Sequence, residues 1–150
     1  MHDTDFVKHC FGMPEAVFST GYSKITREPD YVVTQYLYDN GCAVTAEGGW
    51  AMADGFGFHM RFVANFEQAT AVFDIGQEPV LKFYQDGEGK PVDIETGMGY
   101  PYEIAYSLDC IASGKKPETV TVRDAAESIR IAEAEAISLQ RRKWVALDPA

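Results

Sequence analysis

From Phe56 to Phe66 apolar and other positions alternate with period two: Phe56, Phe58, Met60, Phe62, Ala64 and Phe66 fall on one side, Gly57, His59, Arg61, Val63 and Asn65 on the other. Successive strand side chains point to opposite faces of a sheet, so this alternation predicts a strand with one deeply buried face. A helix would scatter the same residues. Just before it, Glu47-Gly-Gly-Trp50 predicts a bulge or bend at Gly48-Gly49.

The same period recurs on both sides. Residues 16 to 25, 31 to 38 and 42 to 47 read as strands, with Asp39-Asn-Gly41 as the hairpin turn between the last two. Glu67-Gln68 turns the chain into a strand over 69 to 75, and 80 to 85 and 92 to 94 continue the meander around Asp86-Gly-Glu-Gly89. A short helix is expected over 3 to 11, capped by Asp3 or Thr4 and stopped by Gly12, with Phe6, Val7, Cys10 and Phe11 on its apolar side.

At Gly99 the period changes from 2 to 3.6. Pro101 suits a first helical turn, Ile104, Ala105, Leu108, Ile111 and Ala112 form one stripe, and Gly114 ends it. Thr121-Val-Arg-Asp124 has capping-box spacing and opens a long helix to about Arg142, whose expected buried stripe is Ala125, Ile129, Ala132, Ala136 and Leu139. Residues 144 to 147 read as a last short strand. Strands followed by helices predict an α+β domain, an open and mainly antiparallel sheet with helices packed on one face.

The helices are expected to cover the Phe56, Phe58, Met60, Phe62 face. The opposite face, with Val63 and Val72 among His59, Arg61 and Thr70, is then left open and predicts a homo-oligomer formed through it.

One hundred and fifty residues fit a single domain with one core. The net charge of −10 repels phosphate backbones and anionic lipid, which argues against nucleic-acid and membrane partners. No stretch approaches the ~18 apolar residues of a membrane span. Cys10, Cys42 and Cys110 are an odd number without CxxC spacing and read as reduced, core-filling thiols, so a cytoplasmic location is expected.

Candidate chemistry is sparse. His2-Asp3-Thr-Asp5 places an imidazole and two carboxylates within four residues, where a carboxylate can orient the ring for proton transfer; helix capping by Asp3 competes with that reading and is the commoner use. Trp50 offers a flat wall for a sugar, or a core indole. Tyr100 and Tyr102 offer hydroxyls to a pocket, or anchor a helix on a sheet. For His59 and Arg61, a cross-strand pair with Asp74 or Glu47 outranks anion binding. Metal-ligand spacing, a phosphate loop and a locally partnered nucleophile are all missing from the sequence.

In this order the pieces resemble the C-terminal domain of the glucose-fructose oxidoreductase, inositol dehydrogenase and rhizopine-catabolism (Gfo/Idh/MocA) family. His2-Asp-Thr-Asp5-Phe resembles that family's His-Asp-Ile-Asp helix, and Glu47-Gly-Gly-Trp50 its acidic-Gly-Trp turn. Tyr100-Pro-Tyr-Glu103-Ile, Gly114-Lys-Lys-Pro117 and the closing helix before Trp144-Val resemble further landmarks. The resemblance spans nearly the whole chain.

It implies a substrate-binding and oligomerisation domain of an NAD(P)-dependent enzyme acting on a sugar, inositol or related alcohol. His2 would be the catalytic histidine that takes the hydroxyl proton, and Asp5 an orienting carboxylate. Trp50, Phe56, Phe58 and Tyr100 would line the substrate site, Phe56 and Phe58 without the hydroxyls that tyrosines give some relatives. NAD or NADP is implied for the complete enzyme and none for this chain. The family's Rossmann domain would lie upstream of Met1 or on a separate dinucleotide-binding partner. A non-catalytic small-molecule-binding or assembly module derived from that domain is the second reading.

Overall fold

The computed structural model describes residues 1 to 95, 97 and 99 to 147. In chain order they form α1 (His2–Phe11), β1 (Ala16–Tyr22), β2 (Tyr31–Leu37), β3 (Ala43–Gly49), β4 (Arg61–Asn65), β5 (Thr70–Asp74), β6 (Leu81–Gln85), β7 (Glu88–Pro91), α2 (Tyr100–Ser113), α3 (Val122–Arg141) and β8 (Val145–Ala146). The fold is α+β and every strand pairing is antiparallel.

The strands form two four-stranded sheets, ordered β3-β2-β1-β8 and β4-β5-β6-β7. Correspondingly the chain divides into two compact units, residues 1 to 52 with 110 to 150, and residues 53 to 109.

In the first unit α1 and α3 pack on one face of the β3-β2-β1-β8 sheet. Val17 and Ser19 of β1, Thr34 and Tyr36 of β2 and Val44 of β3 point to that face and are buried. The core there joins Val7 of α1, Val17, Tyr36, Tyr38, Val44, and Ile131 and Ala134 of α3. Full burial of Val17 and Ile131 stabilises the unit by about 2 kcal/mol each.

The long helix starts as its sequence dictates. The Thr121 hydroxyl accepts from the Asp124 N–H, and the Asp124 carboxylate accepts from the Thr121 N–H at 2.8 Å. Its buried face, however, is Ser128, Ile131, Ala134 and Ser138, whereas Ala125, Ile129 and Ala136 of the expected stripe are exposed. Small hydroxyls displace the apolar stripe because the sheet offers them partners: the Ser19 N–H donates to Ser138 Oγ at 2.9 Å, and Ser138 in turn donates to the Lys143 carbonyl at 2.7 Å.

On α1 the N-cap is Met1, without a side-chain cap, and Asp3 and Asp5 lie inside the first turn. The expected apolar side is rotated as well: Val7 and Thr4 are buried, while Phe6, Cys10 and Phe11 are exposed. Cys42 is also exposed and Cys110 half-buried, so these thiols do not fill the core.

In the second unit, β4 to β7 form a meander. Phe62 and Phe73 face each other across the ladder with rings stacked at 5.4 Å. Asp86 and Gly87 both have positive φ and link β6 to β7 as a two-residue turn. The last strand comes earlier than expected, at Glu88–Pro91 rather than 92 to 94, because this tight turn pairs Gln85 directly with Glu88.

The central alternating strand is shorter than its pattern. Only Arg61–Asn65 pairs; Phe56, Phe58 and Met60 precede the ladder and are exposed, Phe58 to 75%. The expected buried face is not formed over this run, since alternation needs a ladder on at least one side to fix the pleat. Within the ladder Phe62 and Ala64 are half-buried and Val63 stands 61% exposed opposite Val72, while Phe66, expected on the buried side, is exposed.

Candidate functional site

Two of the sequence motifs meet in the first unit. The first turn of α1 lies against the end of β3, where the Asp3 carboxylate fills the space above Gly48. An added Cβ at position 48 would stand 2.5 Å from Asp3 Oδ2. Gly49 is constrained in turn by the Asp30 carbonyl, 2.6 Å from the place of its missing Cβ. Instead of a bulge, Gly48 and Gly49 keep a regular register with Val32 and Tyr31, and their lack of side chains permits the close approach.

Trp50 follows at once. Its backbone N–H donates to the Asp30 carbonyl at 3.0 Å, and the residue is 78% exposed. The buried-core reading of the residue is therefore excluded. His2 stands exposed on the α1 turn that carries Asp3.

Asp30 holds this corner from below. Its buried carboxylate accepts from the backbone N–H groups of Ile25, Lys24 (2.6 Å) and Thr26 (3.0 Å), and from the Thr26 hydroxyl at 2.7 Å. The Ile25 and Thr26 N–H groups, foremost among these donors, hold its carboxyl far below the usual range.

Beneath the α1 turn lies a polar cluster. Tyr36 donates from its hydroxyl to Glu135 Oε1 at 2.6 Å, and Thr4 donates to the same carboxylate at 3.2 and 3.3 Å. Burial pushes the Glu135 carboxyl up, against the pull of the Tyr36 and Thr4 hydrogen bonds, and burial pushes the Tyr36 phenol up further. Ser128 donates to Asp5 Oδ1, and Lys8 bridges Asp124 and Glu127. Asp5 is thus tied to α3.

Glu135, Tyr36 and Thr4 are functional candidates that motif reading passes over. The available signal is the stripe Ser128, Ile131, Glu135, Ser138 at helical spacing, in which one charged residue interrupts an otherwise small or apolar row.

The remaining candidates read from the sequence, Phe56, Phe58 and Tyr100, lie in the second unit, all exposed. There the His59 ring lies edge-on to Phe56, with centroids 6.2 Å apart, and its Nε2 is 3.6 Å from Asp74 Oδ1. His59 therefore has the cross-strand carboxylate expected of it. An open depression of about 460 Å³ lies at the hairpin ends among Phe66, Gln68, Thr70, Tyr84 and Asp86, apart from these residues.

The described residues do not fit a dinucleotide. The first turns of α1, α2 and α3 carry Asp3 and Asp5, Glu103, and Asp124 respectively, so a pyrophosphate at any of them meets like charge. Gly97 and Gly99 do precede α2, but Pro101 removes one of its free N–H groups and Tyr102 stands where a third glycine would be. Among the described residues no group of three His, Cys, Asp or Glu side chains is placed to hold a metal ion, and no helix is long and apolar enough to cross a membrane.

No protein-family model matches the chain, and no curated protein matches it. Solved structures do. The chain superposes with a TM-score of 0.81 on apo levoglucosan dehydrogenase, at 17% identity over 99% of this chain and 50% of that one. With UDP-N-acetylglucosamine 3-dehydrogenase of Acidithiobacillus ferrooxidans the score is 0.78, at 18% identity over 93% and 45%. With the aldose-aldose oxidoreductase of Caulobacter crescentus, in complex with glycerol, it is 0.78, at 15% identity over 97% and 45%. These neighbours are oxidoreductases of the Gfo/Idh/MocA type, and the fold of this chain is the fold of about half of each. The chain spans about half the length of the structures it matches.

Proposed function

We propose that this chain is the substrate-binding and oligomerisation half of a Gfo/Idh/MocA oxidoreductase acting on a sugar, inositol or related alcohol. The observation that carries the reading is the Asp3–Gly48 contact. It joins the His2-Asp3 turn to the Glu47-Gly-Gly-Trp50 turn at one exposed corner, two of the motifs whose order carries the family resemblance. The shared fold supports it, as do the names of the neighbours, which act on levoglucosan, a UDP-sugar and aldoses.

In this reading the His2 imidazole accepts the hydroxyl proton of the bound alcohol, and the Trp50 indole presents an apolar face to the carbon skeleton. Asp5, fixed by Ser128, holds the α1 turn. Phe56, Phe58 and Tyr100 are substrate contacts by the family resemblance alone, as apolar surface and one hydroxyl. NAD or NADP belongs to a dinucleotide-binding domain outside the described residues, and the oxidation is that domain's chemistry. The open face of β4 and β5 around Val63 pairs with a second copy.

A non-catalytic binding or assembly module is the other reading of the same fold. DNA 5′ of the Met1 codon separates the two. An in-frame glycine-rich dinucleotide fingerprint followed by Glu-Lys-Pro is the expected result; an intact promoter and ribosome site directly before the codon would favour the module.

A further inference from the structure

We infer that Glu135 is the positioning residue of the His2 turn, clamping Thr4 of α1 to Tyr36 of β2. The inference rests on the proposed role of His2 for its purpose, and on geometry alone for its mechanics.

One carboxylate joins three elements. Glu135 belongs to α3; it accepts the Tyr36 hydroxyl at 2.6 Å and the Thr4 hydroxyl at 3.2 and 3.3 Å, and both donor residues are only 3% exposed. A charge drawn out of water at this depth is costly, and an apolar residue of similar size would continue the stripe of Ile131 and Ala134 without that cost. What an apolar residue cannot supply is direction. Thr4 lies two residues after His2, on the same helical turn. Asp3 against Gly48 and the Asp5–Ser128 bond hold the two sides of the turn, and releasing Thr4 between them lets it roll. With side chains about 5 to 6 Å from the helix axis, a roll of about 10° moves the imidazole by about 1 Å, a displacement that can cost ~100-fold in rate at a reacting group.

The neighbouring charges fit a clamp that stays made. Asp3 faces Glu135 from α1, and from β2 it meets Tyr36, whose raised phenol remains a donor throughout the working range. Asp3 itself is seated on Gly48 and Asp5 on Ser128, so Thr4 is the middle of three consecutive anchored residues.

The test is NMR of the whole chain, with the His2 ring C–H resonances and the exchange rate of the Asp5 amide, which donates to the Met1 carbonyl at 2.9 Å, as readouts. Glu135→Leu is expected to keep the far-UV spectrum, shift the His2 resonances while leaving His59 unmoved, and speed Asp5 exchange at least about tenfold. Thr4→Val should behave as Glu135→Leu, whereas Thr4→Ser, and Glu135→Gln whose amide oxygen still accepts both hydroxyls, should keep the wild-type exchange rate. In the wild type the His2 resonances should also sense the Glu135 titration as an inflection that Glu135→Gln lacks. Unchanged His2 resonances in folded Glu135→Leu overturn the clamp, and if that variant does not fold, unchanged resonances in Thr4→Val do so. Failure of the wild type to bind any polyol would instead refute the proposed function, with the clamp's signature still in place.

Discussion

The Asp3 carboxylate stands where a side chain at position 48 would have to be, so the acidic residue of one motif and the glycine of another are a single steric fit. Gly48→Ala should force Asp3 aside and destabilise the chain by about 1 kcal/mol, the low end for overpacking because the blocking atoms end a short side chain. In an Asp3→Ala background the same change should be neutral or stabilising. Equal costs in both backgrounds, measured by urea unfolding as a double-mutant cycle, would show that the two residues do not meet.

The face of α3 makes a second prediction. Ile131 is fully buried and Ile129 about half exposed, two positions apart on one helix. Ile131→Ala should cost about 3 kcal/mol through lost burial and the cavity left behind, and Ile129→Ala within about 0.5 kcal/mol. The apolar stripe read from sequence predicts the reverse, so one pair of denaturation curves separates the two helix orientations.

Acid stability should depend on Asp30. Its folded pKa lies below the unfolded value of 3.8, so the stability it contributes is present above that pH and is lost as pH falls further. Asp124 is lowered in the same sense, first by the Lys8 hydrogen bond, whereas Glu135 is raised, so its contribution is largest at low pH and fades as pH rises through its folded value. Asp30→Asn should be less stable than wild type at pH 7 and lose less between pH 4 and 2. Parallel acid limbs for the two proteins would detach Asp30 from the effect.

Much of this fold is legible in the chain because the signals are local. The Thr121–Asp124 capping box, the Asn40-Gly41 and Glu67-Gln68 turns and the strand periods need only neighbouring residues to act, and they appear close to where they are read. What is misread depends on distant partners. The buried side of α3 is chosen by Ser19 and by the Thr4–Glu135–Tyr36 cluster, more than 90 residues away in sequence, and the pleat at Phe56 and Phe58 lacks a ladder that alternation cannot reveal. At the candidate site, the motifs are visible one by one. Their meeting at Gly48, and the carboxylate beneath them, belong to packing.

Self-association is expected through the open face of the β4-β5-β6-β7 sheet. Val63 is 61% exposed opposite Val72, with Arg61 paired across from Asp74 beside it. Sedimentation should show a dimer at about micromolar concentration, equivalent to ~8 kcal/mol. Val63→Asp should shift it to monomer, since the new carboxylate would be buried unpaired. A dimer indifferent to that change would move the interface elsewhere.

The corner formed by His2, Asp3, Gly48 and Trp50 should bind a polyol, and on this the proposed function stands. Its most direct measurement is chemical-shift mapping of the whole chain against a panel of aldoses, a UDP-sugar and inositols, observing the His2 ring and the Trp50 indole N–H. At least one member should perturb both saturably at roughly millimolar concentration, and His2→Ala should weaken that binding with a melting temperature within a few degrees of wild type, because the residue is exposed on a first helical turn. A panel that leaves both resonances unmoved, or that acts only on residues remote from this corner, would contradict the account.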